Sequence, residues 1–192
     1  MQEVFTLDVL RWQPWLRPVQ LDEADDAQIK ALTAAGAITR DSPYFRTLAH
    51  APELLTARMV LYNDIVYSRE GLPRAEREFS MFAVSRVNGC VYCASIHGRR
   101  YVELTKDADT IDALLQSEDT SSLPTRLRMI FDFARAITLH PTAVNANSGA
   151  ALREAGFSDA EILDLLHATA MFSWANTLML TLGQPEPVGE GD

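Results

Sequence analysis

The chain has 192 residues, 47% of them apolar, which is enough for one domain with a sizeable core and too apolar for disorder. Lys and Arg number 17 against 26 Asp and Glu, and the resulting net charge of -9 speaks against nucleic acid or an anionic membrane surface as a main partner. Met1-Gln2-Glu3-Val4-Phe5 lacks the basic start of a signal peptide, and the longest apolar segment, near Ala168 to Leu182, is broken by Thr, Ser, Asn and Trp. A soluble, cytoplasmic protein is expected.

In chain order, residues 1 to about 22 contain Trp12, Pro14, Trp15 and Pro18 and read as an extended arm, since Pro fixes φ and disfavours helix before it. Its aromatic residues are expected to pack on the body or on another subunit. Asp22 to Ala35 reads as a first helix, capped near Asp22 and stopped by Gly36. Ser42 to Leu48 is a short helical turn, and Pro52 opens a long helix in which Leu54, Leu55, Met59, Ile65 and Val66 recur at roughly helical spacing.

Gly71-Leu72-Pro73 separates that helix from Ala75 to Val87, and Asn88-Gly89 is a strong turn signal. Cys90 starts the next helix. Asp107 to Leu115, Arg126 to Thr138 and Ala146 to Ala155 follow, with breaks at Ser117 to Ser122 and His140-Pro141. Ser158-Asp159-Ala160-Glu161 is a capping box for a last helix that stops at Gly183, and the tail from Pro185 is expected to fray. No alternating run is long enough to predict a strand, and no Gly-rich phosphate loop is present. The predicted class is all-α, a helical bundle.

The two cysteines of the chain, Cys90 and Cys93, form one C-x-x-C, which in a reducing compartment is more often redox-active or metal-binding than structural. With Cys90 in the first turn, Cys93 at i+3 and His97 four further on stack on one helix face. A helix N-terminus lowers a thiol pKa, a His one turn away can take the proton, and two thiols at this spacing can close a disulfide. Glu78 lies twelve residues before Cys90, and an antiparallel hairpin through Asn88-Gly89 lets it face His97, although spacing alone does not exclude Glu76. Two other readings stay open. Cys90, Cys93, His97 and Glu78 would make a four-ligand zinc set, and the pair could also be a structural accident. His50 suits a local cap, His140 a loop and His167 a packed site, while Phe172 and Trp174 read as core.

Glu78, eleven residues, Cys90-Val91-Tyr92-Cys93, three residues and His97 resemble the E-x11-C-x-x-C-x3-H pattern of the alkylhydroperoxidase D-like (AhpD-like) proteins, in the carboxymuconolactone decarboxylase superfamily. Leu48-Ala49-His50-Ala51-Pro52-Glu53-Leu54 and Gly156-Phe157-Ser158-Asp159-Ala160-Glu161-Ile162 agree with it. The Trp-containing N-terminal arm looks like the longer, peroxidase-related branch. The resemblance implies an AhpD-like helical bundle over residues 41–185, with the C-x-x-C at the N-terminus of a central helix. Residues 1–40 would form the arm and first helix, and 186–192 a frayed tail.

It further implies a homo-oligomer (dimer, trimer or hexamer) that reduces peroxides without a bound cofactor or metal. Cys93 would attack the peroxide, Cys90 would resolve it as a disulfide, and Glu78 and His97 would relay the proton. An external thiol or dithiol would be the reductant, a lipoylated partner in the founding members. Those members carry a His immediately before the second cysteine. Here Tyr92, with a pKa near ~10, is a poor base. The paired cysteines count against a superfamily decarboxylase acting on a small lactone acid, which is the alternative enzyme class.

Overall fold

The computed structural model describes residues 4–34 and 37–188. The described helices are α1 (Asp26–Ala34), α2 (Ala37–Asp41), α3 (Pro43–Leu48), α4 (Pro52–Tyr67), α5 (Arg74–Val87), α6 (Val91–Thr105), α7 (Asp109–Gln116), α8 (Thr125–Leu139), α9 (Ala146–Glu154) and α10 (Asp159–Leu182). Two short strands, β1 (Leu10–Pro14) and β2 (Gly183–Pro187), complete an otherwise all-helical architecture.

Helix α5 is the axis of the bundle. Its residues from Arg77 to Ser85 are all buried, because α4, α6, α8 and α10 pack around it. Phe79, Phe82 and Phe131 form the aromatic centre, with Phe79 5.3 Å from the Tyr101 ring of α6. Pro stands in the first turn of α3 and of α4, where a missing N–H costs nothing. The capping box before α10 forms as the sequence predicts: Ser158 Oγ accepts from Glu161 N at 3.2 Å and Glu161 Oε2 accepts from Ser158 N at 2.8 Å.

Several local expectations shift. Helix α1 starts at Asp26, and its reciprocal cap is Asp25 with Gln28 instead of Asp22. The expected stop at Ala35–Gly36 lies outside the described residues. Leu54 is exposed, and the inward stripe of α4 runs through Leu55, Arg58, Met59 and Val66.

The larger correction concerns strands. The arm and the tail, 170 residues apart, pair antiparallel with Leu10 opposite Pro187 and Pro14 opposite Gly183. So the chain after Pro185 is held rather than frayed through Pro187, while residues 189–192 lie outside the description. Each strand is five residues long, with Pro14 at the end of β1 and Pro185 and Pro187 in β2, so neither advertises an alternating pattern. A Cβ on Gly183 would strike the Gln13 carbonyl oxygen and the Trp12 indole, so the crossing admits only Gly.

The arm packs on its own chain. Trp12 is buried, donates from Nε1 to the Met179 carbonyl at 3.2 Å and meets the Tyr44 ring edge-on at 5.4 Å. Ser95 Oγ donates to the Asp8 carbonyl at 2.6 Å, and Arg46 Nε to the Val19 carbonyl at 2.7 Å. Trp15 stays exposed. His50 does not cap α4: its Nε2 lies 3.0 Å from the Arg17 carbonyl and pins the arm there.

Candidate active site

The turn between α5 and α6 sets the site. Asn88 ends α5, Gly89 takes φ 78°, Gly89 N donates to Arg86 O at 3.4 Å and Cys90 N to Ser85 O at 2.8 Å. This pair of bonds is a Schellman closure, and it requires the left-handed conformation that Gly adopts without strain. The closure leaves Cys90 as the residue that caps α6 and Cys93 as its third residue. The two helices then run back along each other as an antiparallel hairpin.

That hairpin sets the four predicted side chains as two pairs, Cys90 with Cys93 and Glu78 with His97. Both cysteines are buried free thiols with their sulfurs 2.8 Å apart. His97 Nδ1 lies 2.6 Å from Glu78 Oε2, and both side chains are buried. The other Glu78 oxygen accepts from Arg74, one turn earlier on α5, with Nε at 2.9 Å. Glu76 faces elsewhere, binding Arg126 at 2.8 Å, so the hairpin decides between the two glutamates. With Nδ1–H donating to the carboxylate, His97 Nε2 is left as the available base.

Electrostatics divides the site. Burial alone would push the Glu78 carboxyl up, but His97 and Arg74 outweigh it and hold Glu78 below its ordinary value. Burial pushes the Cys93 thiol well up and the Cys90 sulfur adds to the effect, with the Arg58 guanidinium opposing. Desolvation of a buried thiolate thus works against ionisation of Cys93. Burial likewise raises the Tyr92 hydroxyl, which leaves it a donor and not a base.

Cys93, His97 and Glu78 line one cavity of about 400 Å³ between α3, α4, α5, α6 and α10, whereas Cys90 does not reach it. The cavity is walled by Tyr44, Phe45, Tyr62 and Phe172, and Phe172 meets the His97 ring edge-on at 4.3 Å. Phe172 is thus part of the site as well as of the core. Trp174 is exposed, and so is His167, which the apolar context of α10 had suggested was packed. Arg58, Arg74 and Tyr44 are site residues that sequence reasoning missed. The available signal was Arg58 itself, a charge at an inward position between Leu55 and Met59. Among the described residues no three His, Cys, Asp or Glu side chains gather as metal ligands, so the four-ligand zinc arrangement does not assemble.

Residues 52–130 match the sequence model of the carboxymuconolactone decarboxylase family. The fold resembles an uncharacterized peroxidase-related protein from Ralstonia eutropha JMP134 with an alkylhydroperoxidase AhpD core, at a TM-score of 0.75 and 26% identity over 91% of this chain and 90% of that one. A peroxidase-related protein from Silicibacter sp. TM1040 gives a TM-score of 0.67 at 28% identity, covering 73% and 74%. The debrominase Bmp8 shares the fold with a TM-score of 0.69 at 15% identity, covering 88% and 91%. No curated protein matches the sequence.

Proposed function

We propose that this chain, which belongs to the carboxymuconolactone decarboxylase superfamily and has the AhpD-like fold, is a thiol-dependent peroxidase. The observation that carries the reading is the pair of free thiols 2.8 Å apart, one of them sharing a cavity with a His–Glu pair. Cys93 is the attacking thiol because it faces the cavity. Its raised pKa makes a resting thiolate scarce, so attack requires a base, and that role falls to His97, one turn on in the same helix and lining the same cavity. Glu78 orients the imidazole and stabilises the imidazolium that forms.

The thiolate sulfur attacks one peroxide oxygen, the O–O bond breaks, and the alcohol leaves with a proton returned from His97, giving a sulfenic acid on Cys93. The Cys90 thiol then displaces water from that sulfenic acid and closes the disulfide. A thiol or dithiol from outside the chain restores both thiols. The buried sulfurs already sit within about 1 Å of disulfide bonding distance, so closure needs little backbone movement. The exposed apolar residues Val60 and Leu61 on α4 support the further proposal that the chain self-associates.

Intact mass after one equivalent of hydroperoxide tests the reading. Loss of two hydrogens is expected in the unmutated protein. Cys90→Ser should instead hold a sulfenic acid that dimedone traps, and Cys93→Ser should not react. Thiols that survive the peroxide unchanged would sink it.

A further inference from the structure

The thiol chemistry gives one ionised group of the cavity no direct part, although its charge favours the Cys93 thiolate. Arg58, on α4, is 5% exposed and lines the same cavity as Cys93. No hydrogen bond of normal geometry reaches its Nε, and its Nη1 meets only the Met59 sulfur, at 3.5 Å. A thioether is a weak acceptor. Among the described residues no carboxylate pairs with it. Four rings surround the guanidinium instead: Phe45 at 5.3 Å, Tyr62 at 5.5 Å, Trp174 at 5.6 Å and Tyr44 at 5.7 Å. Such ring contacts favour a cation but do not replace the counter-ion that a buried charge calls for.

The Tyr44 hydroxyl is also buried; the Arg58 guanidinium acts on its oxygen, and among the described residues no acceptor takes its proton. Two donors with unused capacity therefore line one apolar-walled cavity. The remaining charged groups there leave it electropositive: Glu78 is taken up by Arg74 and His97, and Arg100 binds Glu103 at its rim. This local excess of positive charge stands inside a chain of net charge -9, so it is a property of the cavity and not of the protein as a whole.

We propose that Arg58 and the Tyr44 hydroxyl form a carboxylate-binding subsite, so that the substrate has an anionic head on Arg58 and an apolar body along Phe45, Tyr62 and Phe172. A single uncompensated guanidinium matches a monoanion, and its planar fork suits a carboxylate. A cavity of about 400 Å³ accommodates such a molecule with its reducible end toward Cys93. Only the identity of that reacting end rests on the peroxidase reading.

The test has a binding arm and a turnover arm. Octanoate, 4-phenylbutyrate and their methyl esters are titrated by calorimetry into the reduced protein and into Cys90→Ser/Cys93→Ser. The acids are expected to bind about tenfold or more tighter than the esters in both proteins, the gain typical of one charge-assisted contact. Arg58→Met should bring acid and ester to within about twofold, and Arg58→Lys should keep part of the preference. Equal binding, absence of binding, or a preference that survives Arg58→Met would overturn the subsite.

In the turnover arm a fatty-acid hydroperoxide is compared with its methyl ester. Arg58→Met should cut kcat/KM for the acid about tenfold more than for the ester. An equal loss on both would assign Arg58 to the Cys93 thiolate and overturn the proposal. If neither hydroperoxide reacts but the acid preference in binding holds, the subsite stands and the peroxidase reading falls.

Discussion

Arg77 and Arg58 are both buried, on the adjacent helices α5 and α4, each with an Nε that finds no partner, and they differ at their terminal nitrogens. Arg77 has both terminal nitrogens engaged: Nη1 donates to the Ile65 carbonyl at 2.9 Å and the Ser68 carbonyl at 3.3 Å, and Nη2 to the Glu70 carbonyl at 2.5 Å and Asp164 Oδ2 at 2.7 Å. Asp164 Oδ2 also accepts from Leu72 N at 2.9 Å. That cluster closes the irregular chain between α4 and α5 against α10, and it uses the guanidinium as structural glue. Arg58 has aromatic faces around it and, among the described residues, no carboxylate. A buried charge paired with a carboxylate reports on the fold, whereas an unpaired one in a cavity reports on what the cavity receives. Glu78 lies between these extremes, held by Arg74 and His97 yet lining the cavity.

The contrast can be broken or sharpened by substitution. The largest effect is expected for Arg77→Met, which leaves three carbonyls and Asp164 without their donor and should cost about 3 kcal/mol in denaturant unfolding. A loss under about 1 kcal/mol would show that Arg77 is not the glue described. Next is Glu78→Gln, which keeps the shape but removes the negative charge facing His97. Peroxide consumption should fall roughly 100-fold, with a changed pH–rate profile and only a modest change in stability. An unchanged profile would reduce Glu78 to a structural role.

The same residue gives a pH signature. Glu78 titrates lower in the folded protein than unfolded, so its ionised form contributes stability above the unfolded carboxylate value, near about 4.3. That contribution is lost as pH falls through the lower folded value. The stability gap between the unmutated protein and Glu78→Gln should therefore be full at pH 6 to 7 and close on acidification below about pH 4. Cys93, raised instead, should be alkylated by iodoacetamide at a rate still climbing above the ordinary thiol range of about 8.5. A plateau near neutrality would contradict the burial argument. The smallest effect is Arg58→Met: removing an uncompensated buried charge should leave stability within about 1 kcal/mol or raise it, while the acid preference is lost.

Much of the architecture was legible in the chain because its signals are local. The Ser158–Glu161 box, Pro52 at a helix start and Asn88-Gly89 between helices are each set by residues within one turn of each other. The β1–β2 ladder was not legible, since pairing across 170 residues leaves no periodic trace in two five-residue strands that contain prolines. His50 and His167 were misplaced for a related reason. What each touches, the Arg17 carbonyl and solvent respectively, is a matter of packing and not of neighbours in sequence.

The sequence by itself determined the helical class and the stripe of Cys90, Cys93 and His97, because helical spacing alone stacks those side chains. It also carried the family resemblance, through Glu78 and the four residues around the cysteines. Only the tertiary structure chose Glu78 over Glu76 for His97, turned Cys93 toward the cavity and away from easy ionisation, and buried Arg58 among rings with no carboxylate from the described residues. Those outcomes depend on desolvation and on contacts between separate helices, which spacing along one chain does not encode.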